Sequence, residues 1–246
     1  MLSSTFNGYN VHLVETVDDL EVIRQNLHPR VCVGVDTETT GLSYLRHRMV
    51  GLCIACGKSY SPKDYAGYYI PVRHTVGANV PLDAVVSLAQ EILDGYGTMF
   101  WNRNFDATML ELDGVKIPFV GKMMDAQVMA HEVYNEKFPS LKEFARRWLK
   151  WEMIDFSENK ADAGNFGMTD PKVTYVYAAG DPLATTLLGR YIWSSFPYIH
   201  QIYNIDNQVL EAIRLIGKCE LYLDYDFLKA EEEKSQMRLR ALQQSI

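Results

Sequence analysis

The sequence predicts an α/β protein in which a mixed β-sheet is flanked by helices and followed by a C-terminal helical extension. Three observations carry this. A continuous apolar run, Val31 to Val35, ends in Asp36 and suits a strand buried on both faces. Two stretches rich in β-branched and aromatic residues follow it, Met49 to Ala55 and Tyr65 to Val72. From residue 104 onward the apolar spacing turns helical. Strands first and alternating helices afterwards imply one sheet with helices packed on it. At 246 residues the chain can hold one large domain with an appendage. We read residues 1–200 as that domain and residues 201–246 as the extension.

In chain order, Val11 to Val14 reads as a short strand and Asp18 to Asn26 as an amphipathic helix. The strand at 31–36 comes next, then the two further strands, separated by turn signals at Gly57 and Ser61-Pro62. Pro81-Leu82-Asp83 opens a helix that runs to Leu93 and stops before Gly95 and Gly97. Thr98 to Trp101 is a further strand. Helices are expected over 104–112, 123–135, 140–150, 172–195 and 198–218, with a polar loop from Asp155 to Thr169. Cys219 to Asp224 reads as a turn and a short extended piece. The charged helix from Tyr225 to Gln244 has sparse apolar positions, as expected of one that needs a partner surface elsewhere.

The chain is 48% apolar and 22% charged, so it can bury a real core. No stretch reaches the roughly 20 apolar residues of a membrane span, and the N-terminus carries no basic and apolar leader pattern. Four cysteines are too few for a disulfide scaffold in a chain this long, which places the protein in a reducing cytoplasm. Cys53 and Cys56 have metal-like spacing, but they lie in a strand with no second pair nearby, and we read them as structural. The formal net charge of −7 argues against gripping nucleic acid by bulk electrostatics. It leaves open a nuclease whose carboxylates hold cations, because the ions reverse the local sign.

Three short motifs carry acids. In Asp36-Thr37-Glu38 the two carboxylates project from one face of a strand and raise each other's pKa unless a cation lies between them. A polar strand exit explains the pair equally well. Asp106 follows Trp101-Asn102-Arg103-Asn104-Phe105, in the first turn of a helix capped by Asn102 or Asn104, where an acid is favourable in any protein. Tyr177 and Asp181 lie four apart and share a helix face; a core tyrosine with an exposed acid is the plainer alternative.

Four carboxylates and a phenol, in the order strand, helix start, late helix, resemble the DEDDy subgroup of DnaQ-like 3′–5′ exonucleases. The similarity is strongest to the proofreading domain of Klenow-type family A DNA polymerases. Asp36-Thr37-Glu38-Thr39 is similar to that family's first motif, Met124-Asp125-Ala126 to the start of its next helix, and Leu141 to Leu149 to its Leu-x-x-x-Ala-x-x-Trp-Leu helix. The segment from Asn207 onward resembles the start of a polymerase domain.

The resemblance implies a ribonuclease H-like fold and removal of nucleoside 5′-monophosphates from a single-stranded or frayed DNA 3′ end. It implies two divalent cations, Mg²⁺ or Mn²⁺, held by Asp36, Glu38, Asp106 and Asp181, with Tyr177 orienting the attacking water. Asp36 would bridge both ions. Leu42 and Phe156 become candidate wedges against the terminal bases, and Asn102 a contact to the last nucleotide. Lys137 and Lys160 bound a stretch with six basic residues against four acids, interleaved with aromatics, that suits a single-strand path. The implied partner is a family A polymerase domain or subunit in a bacterial or phage-infected cell. Two other readings share these residues: an exoribonuclease of the RNase D kind, and a catalytically silent exonuclease fold serving as a structural module.

Three positions depart from the family pattern. Trp101 stands where relatives carry His or Gln, and Gly180 replaces a common acid. Pro182 directly follows Asp181, so either the helix kinks there or Asp181 caps a new helix.

Overall fold

The computed structural model describes residues 1–118, 122–135, 140–155, 166–218 and 223–244. The chain opens with a hairpin, β1 (Leu2–Phe6) and β2 (Tyr9–Leu13). Its turn is Asn7-Gly8, with φ of 46° and 84°. Asn-Gly tolerates left-handed backbone, which matches the twist of a two-residue hairpin. The expected first strand is therefore the second of a pair, and β1 was missed despite this turn signal.

After α1 (Leu20–Asn26), β3 (Val33–Thr39), β4 (Met49–Gly57) and β5 (Tyr65–Pro71) form an antiparallel meander. Helix α2 (Leu82–Gly95) leads to β6 (Thr98–Phe100), which pairs parallel to β3. Helix α3 (Arg103–Leu112) leads to β7 (Met123–Asp125), parallel to β6. The mixed sheet has the order β1-β2-β5-β4-β3-β6-β7, and the fold is ribonuclease H-like.

The expected helix over 123–135 divides into β7 and α4 (Ala126–Tyr134), because three residues are too few to show a strand period. The expected helix over 140–150 is α5 (Leu141–Phe144) followed by a π-helical turn, Ala145–Leu149. Helix α6 (Pro171–Ser195) and α7 (His200–Gly217) lie where their spacing predicts. Within the expected loop 155–169, Phe166–Met168 forms a 3₁₀ turn, and 156–165 lie outside the described residues. No described helix is long and apolar enough to cross a membrane.

Two cores lie on opposite faces of the sheet. Val33, Val35, Leu52, Ile54, Tyr68 and Ile70 point towards α1, α2 and α3. On the other face Val11, Cys53, Tyr65 and Tyr69 pack against α6. Cys53 and Cys56 thus belong to opposite cores, as an odd spacing in a strand demands, and cannot grip one ion together. Close approach of α6 depends on Gly34: a Cβ there would sit 2.3 Å from Thr186 Oγ1 and 2.4 Å from the Pro182 carbonyl oxygen.

The chain divides into two units, Met1–Ala212 and Ile213–Ile246, and the division falls within α7. In the second unit α8 (Tyr225–Gln244) has no buried residue, with Phe227, Met237 and Leu242 all exposed.

Candidate active site

Strand β3 presents Val33 and Val35 to one core and turns Asp36 and Glu38 to the α6 face. Its pairing with β4 shifts register directly after Glu38. A bulge of this kind re-aims the side chains beside it. Between the two acids, Thr37 points the other way and anchors α3: its backbone N–H and Oγ1 both donate to Asp106 Oδ1, at 3.1 and 2.6 Å. Asp106 is only 2% exposed, so these bonds fix one of its oxygens at the end of β3.

Helix α6 contributes Tyr177 and Asp181. It runs unbroken through Pro182, whose carbonyl accepts a 2.8 Å bond from Thr186 Oγ1. The cap alternative for Asp181 is therefore not realised, because no helix begins there. Gly180 has a local reason as well. A Cβ at that position would meet the Phe6 ring at 2.8 Å, so a larger residue there requires that ring to move.

These groups meet electrostatically. Burial raises the Asp36 carboxyl well above its ordinary range, and Asp106, Glu38 and Asp181 push it further. Glu38 is raised to about 8, by burial first and by Asp181 next, against the opposing charge of Lys142. Burial lifts Asp106 to about 8 although the Thr37 bonds pull the other way. Burial lifts Asp181 to about 6, again with Lys142 opposing. The Tyr177 phenol is raised by burial and then by Asp181, Glu38 and Asp36, so it stays protonated at neutral pH and can orient water without acting as a base. Acids that raise one another in this way are short of a cation.

Sequence reasoning gave no role in the site to four residues that build it. Thr37 is one. Cys53, paired directly opposite Asp36 across β3 and β4, brings its sulfur within 4.8 Å of ligand atoms of Asp36 and Glu38; only the strand pairing reveals this. Asp125, 2% exposed, accepts from the backbone N–H of Arg103 at 2.8 Å and of Gln127 at 2.9 Å. One buried carboxylate thus caps both α3 and α4. Lys142 is the fourth; its ammonium lies 4.2 Å from the centre of the Tyr177 ring.

Leu42 is 86% exposed. Asn102 is exposed too, at the N-cap of α3 with φ of 70°, but its side chain makes no capping bond. The cap is supplied by Asp125, which corrects the expectation that Asn102 or Asn104 serves. Asn104 instead donates to the Leu210 carbonyl at 3.0 Å. Trp101 is partly buried with its ring 6.1 Å from that of Phe144. Phe156, Lys137 and Lys160 lie outside the described residues.

Known proteins match along most of this chain. DNA polymerase I of Synechocystis sp. is 28% identical over 142 residues, 55% of this chain and 14% of its own length. DNA polymerase I of Borreliella burgdorferi is 21% identical over 95% of this chain and 25% of its own. The chain thus spans a quarter or less of the curated relatives it matches. Among solved structures, Brucella melitensis NrnC bound to pGG superposes with a TM-score of 0.57 at 18% identity, over 79% of this chain and 91% of that one. A family model described as 3′–5′ exonuclease matches residues 11–196, which include Asp36, Glu38, Asp106, Tyr177 and Asp181. The chain belongs to the 3′–5′ exonuclease family found in family A DNA polymerases.

Proposed function

We propose that the protein removes nucleoside 5′-monophosphates one at a time from a single-stranded or frayed DNA 3′ end, proofreading for a family A polymerase domain. The observation that carries this is the gathering of Asp36, Glu38, Asp106 and Asp181 beside Tyr177, with their charges raising one another. The donor set suits hard divalent ions, Mg²⁺ or Mn²⁺, because carboxylate oxygens outnumber the single sulfur of Cys53. A pair of such ions, when bound, lowers the pKa of water and stabilises charge on the leaving oxygen. Asp36, central in the electrostatics, would hold the ions together with Glu38 and Asp181, the latter two serving the ion that activates water. Thr37 holds Asp106 Oδ1, and the other Asp106 oxygen would support the ion that takes charge from the leaving oxygen. Tyr177 donates a hydrogen bond that aims the attacking water.

In this reading Leu42 and Phe156 wedge against the terminal bases, where an apolar face stacks on any base. Asn102 meets the last nucleotide, and Lys137 and Lys160 border the strand's path. The polymerase is either continuous with residues 201–246 or a separate polypeptide, working in a bacterial or phage-infected cytoplasm.

The likeness to NrnC favours one second reading, an exoribonuclease acting on short RNA. The test is hydrolysis of matched labelled DNA and RNA single strands with Mg²⁺. Degradation of DNA at the higher rate, lost by at least about 10³-fold in Asp36→Ala, is the expected result. RNA preference would replace the proofreading reading. Full-rate degradation by the Asp36→Ala protein would overturn the site, and inactivity on both substrates would leave a silent fold.

A further inference from the structure

Among the described residues, one basic side chain acts on Glu38 and Asp181, that of Lys142. Lys142 follows the first residue of α5, and its position is set from three directions. Its Nζ lies 4.2 Å from the Tyr177 ring centroid. The same nitrogen donates a 2.7 Å hydrogen bond to the Ile154 carbonyl. Its charge also reaches Glu38 and Asp181, where it opposes the effect of burial. That hydrogen bond goes to a neutral carbonyl and tethers the ammonium at the Tyr177 ring, while two further N–H donors remain on the same nitrogen. A cation over an aromatic face is attracted by the ring and restrains its orientation.

We propose that Lys142 is a positioning residue of the exonuclease site, a resident counter-ion that fixes the Tyr177 ring and holds the Glu38–Asp181 pair in place before divalent ions bind. This deepens the exonuclease reading and rests on it. An ammonium near the acids does part of what a metal does, so it makes the metal-free site tolerable. By the same Coulomb argument it weakens divalent binding, since like charges compete for the same carboxylates. A merely structural lysine would do neither.

The neutral variant of similar length, Lys142→Met, separates these effects. Calorimetric titration of the whole chain with Mn²⁺ is expected to show binding tighter by roughly fivefold. Hydrolysis of single-stranded DNA is expected to lose about tenfold in kcat with KM little changed, because the phenol is no longer aimed. Lys142→Gln keeps a donor for the Ile154 carbonyl and is expected to behave alike; it serves if the Met variant fails to fold. Mn²⁺ affinity equal to or weaker than that of the parent overturns the counter-ion, and an unchanged kcat overturns the aiming of Tyr177. A parent protein that binds Mn²⁺ but cleaves neither DNA nor RNA would sink the exonuclease reading and leave the affinity comparison intact.

Discussion

At the scale of single residues, the site depends on one side chain holding another. Asp106 sits in the first turn of α3, where an acid is common, and nothing in its position says which oxygen faces the other acids. Thr37 decides that, with two bonds to Oδ1. Thr37→Val keeps the shape and the backbone bond but deletes the 2.6 Å hydroxyl bond. A buried hydrogen bond contributes about 1 kcal/mol, and its loss removes one of the contacts that oppose the burial-driven rise of the Asp106 carboxyl. The expected outcome is a fall in stability of that order by denaturant titration and weaker Mn²⁺ binding near neutral pH. Unchanged Mn²⁺ affinity would show that Asp106 needs no such anchor.

At the scale of elements, the acids converge because three backbone segments approach closely. Gly34 lets β3 lie against α6, and the atoms a Cβ would meet include a backbone carbonyl that cannot swing aside. Gly34→Ala is expected to destabilise the fold by about 1–3 kcal/mol and to reduce exonuclease rate by moving Asp181 relative to Asp36. A variant with parental melting temperature and rate would mean that α6 has slack. Asp125→Ala uncaps α3 and α4 together, and its expected cost of about 2 kcal/mol should exceed that of Asp125→Asn, which retains an acceptor oxygen. Equal losses in thermal denaturation would show that shape matters there and capping does not.

The same scale explains what could be read from the residues alone. The buried strands and the long helices are legible because each is a local pattern with a period, whereas the Asp36, Asp106 and Tyr177–Asp181 motifs each admit a plainer reading alone and stand out only together, through the family resemblance. The hairpin turn at Asn7-Gly8 was legible in principle, yet β1 is mostly exposed and lacks the apolar run that marks a strand. By contrast, β7 is too short to show a period. Cys53 and Lys142 could not be assigned from sequence, because one meets Asp36 through strand register and the other meets Tyr177 across 35 positions of chain. Neither distance is encoded in a window of sequence. The unbroken path of α6 through Pro182 falls in the same class, since packing of its apolar faces outweighs the missing N–H.

At the scale of the whole molecule, the acidic cluster ties folding to pH and to metal with opposite signs. Glu38 and Asp106 are raised to about 8 and Asp181 to about 6, from ordinary values of 4.5 and 3.8. Between those limits the folded chain retains protons that the unfolded chain has released. Stability from these groups is therefore fully present below about pH 4 and is lost as pH rises through about 6 and then about 8. Divalent ions require the deprotonated acids, so their affinity grows over the same interval. Two melting curves follow, one in chelator and one with excess Mg²⁺ or Mn²⁺. In chelator the contribution of the cluster lowers the melting temperature as pH is raised from about 5 to about 8.5. With metal the loss is offset, and the gap between the curves widens with pH. Asp36→Asn removes a charge from the centre of the cluster and is expected to flatten the chelator curve and shrink the gap at once. Curves that stay parallel across the interval would mean that the four carboxylates do not titrate as a metal-linked group.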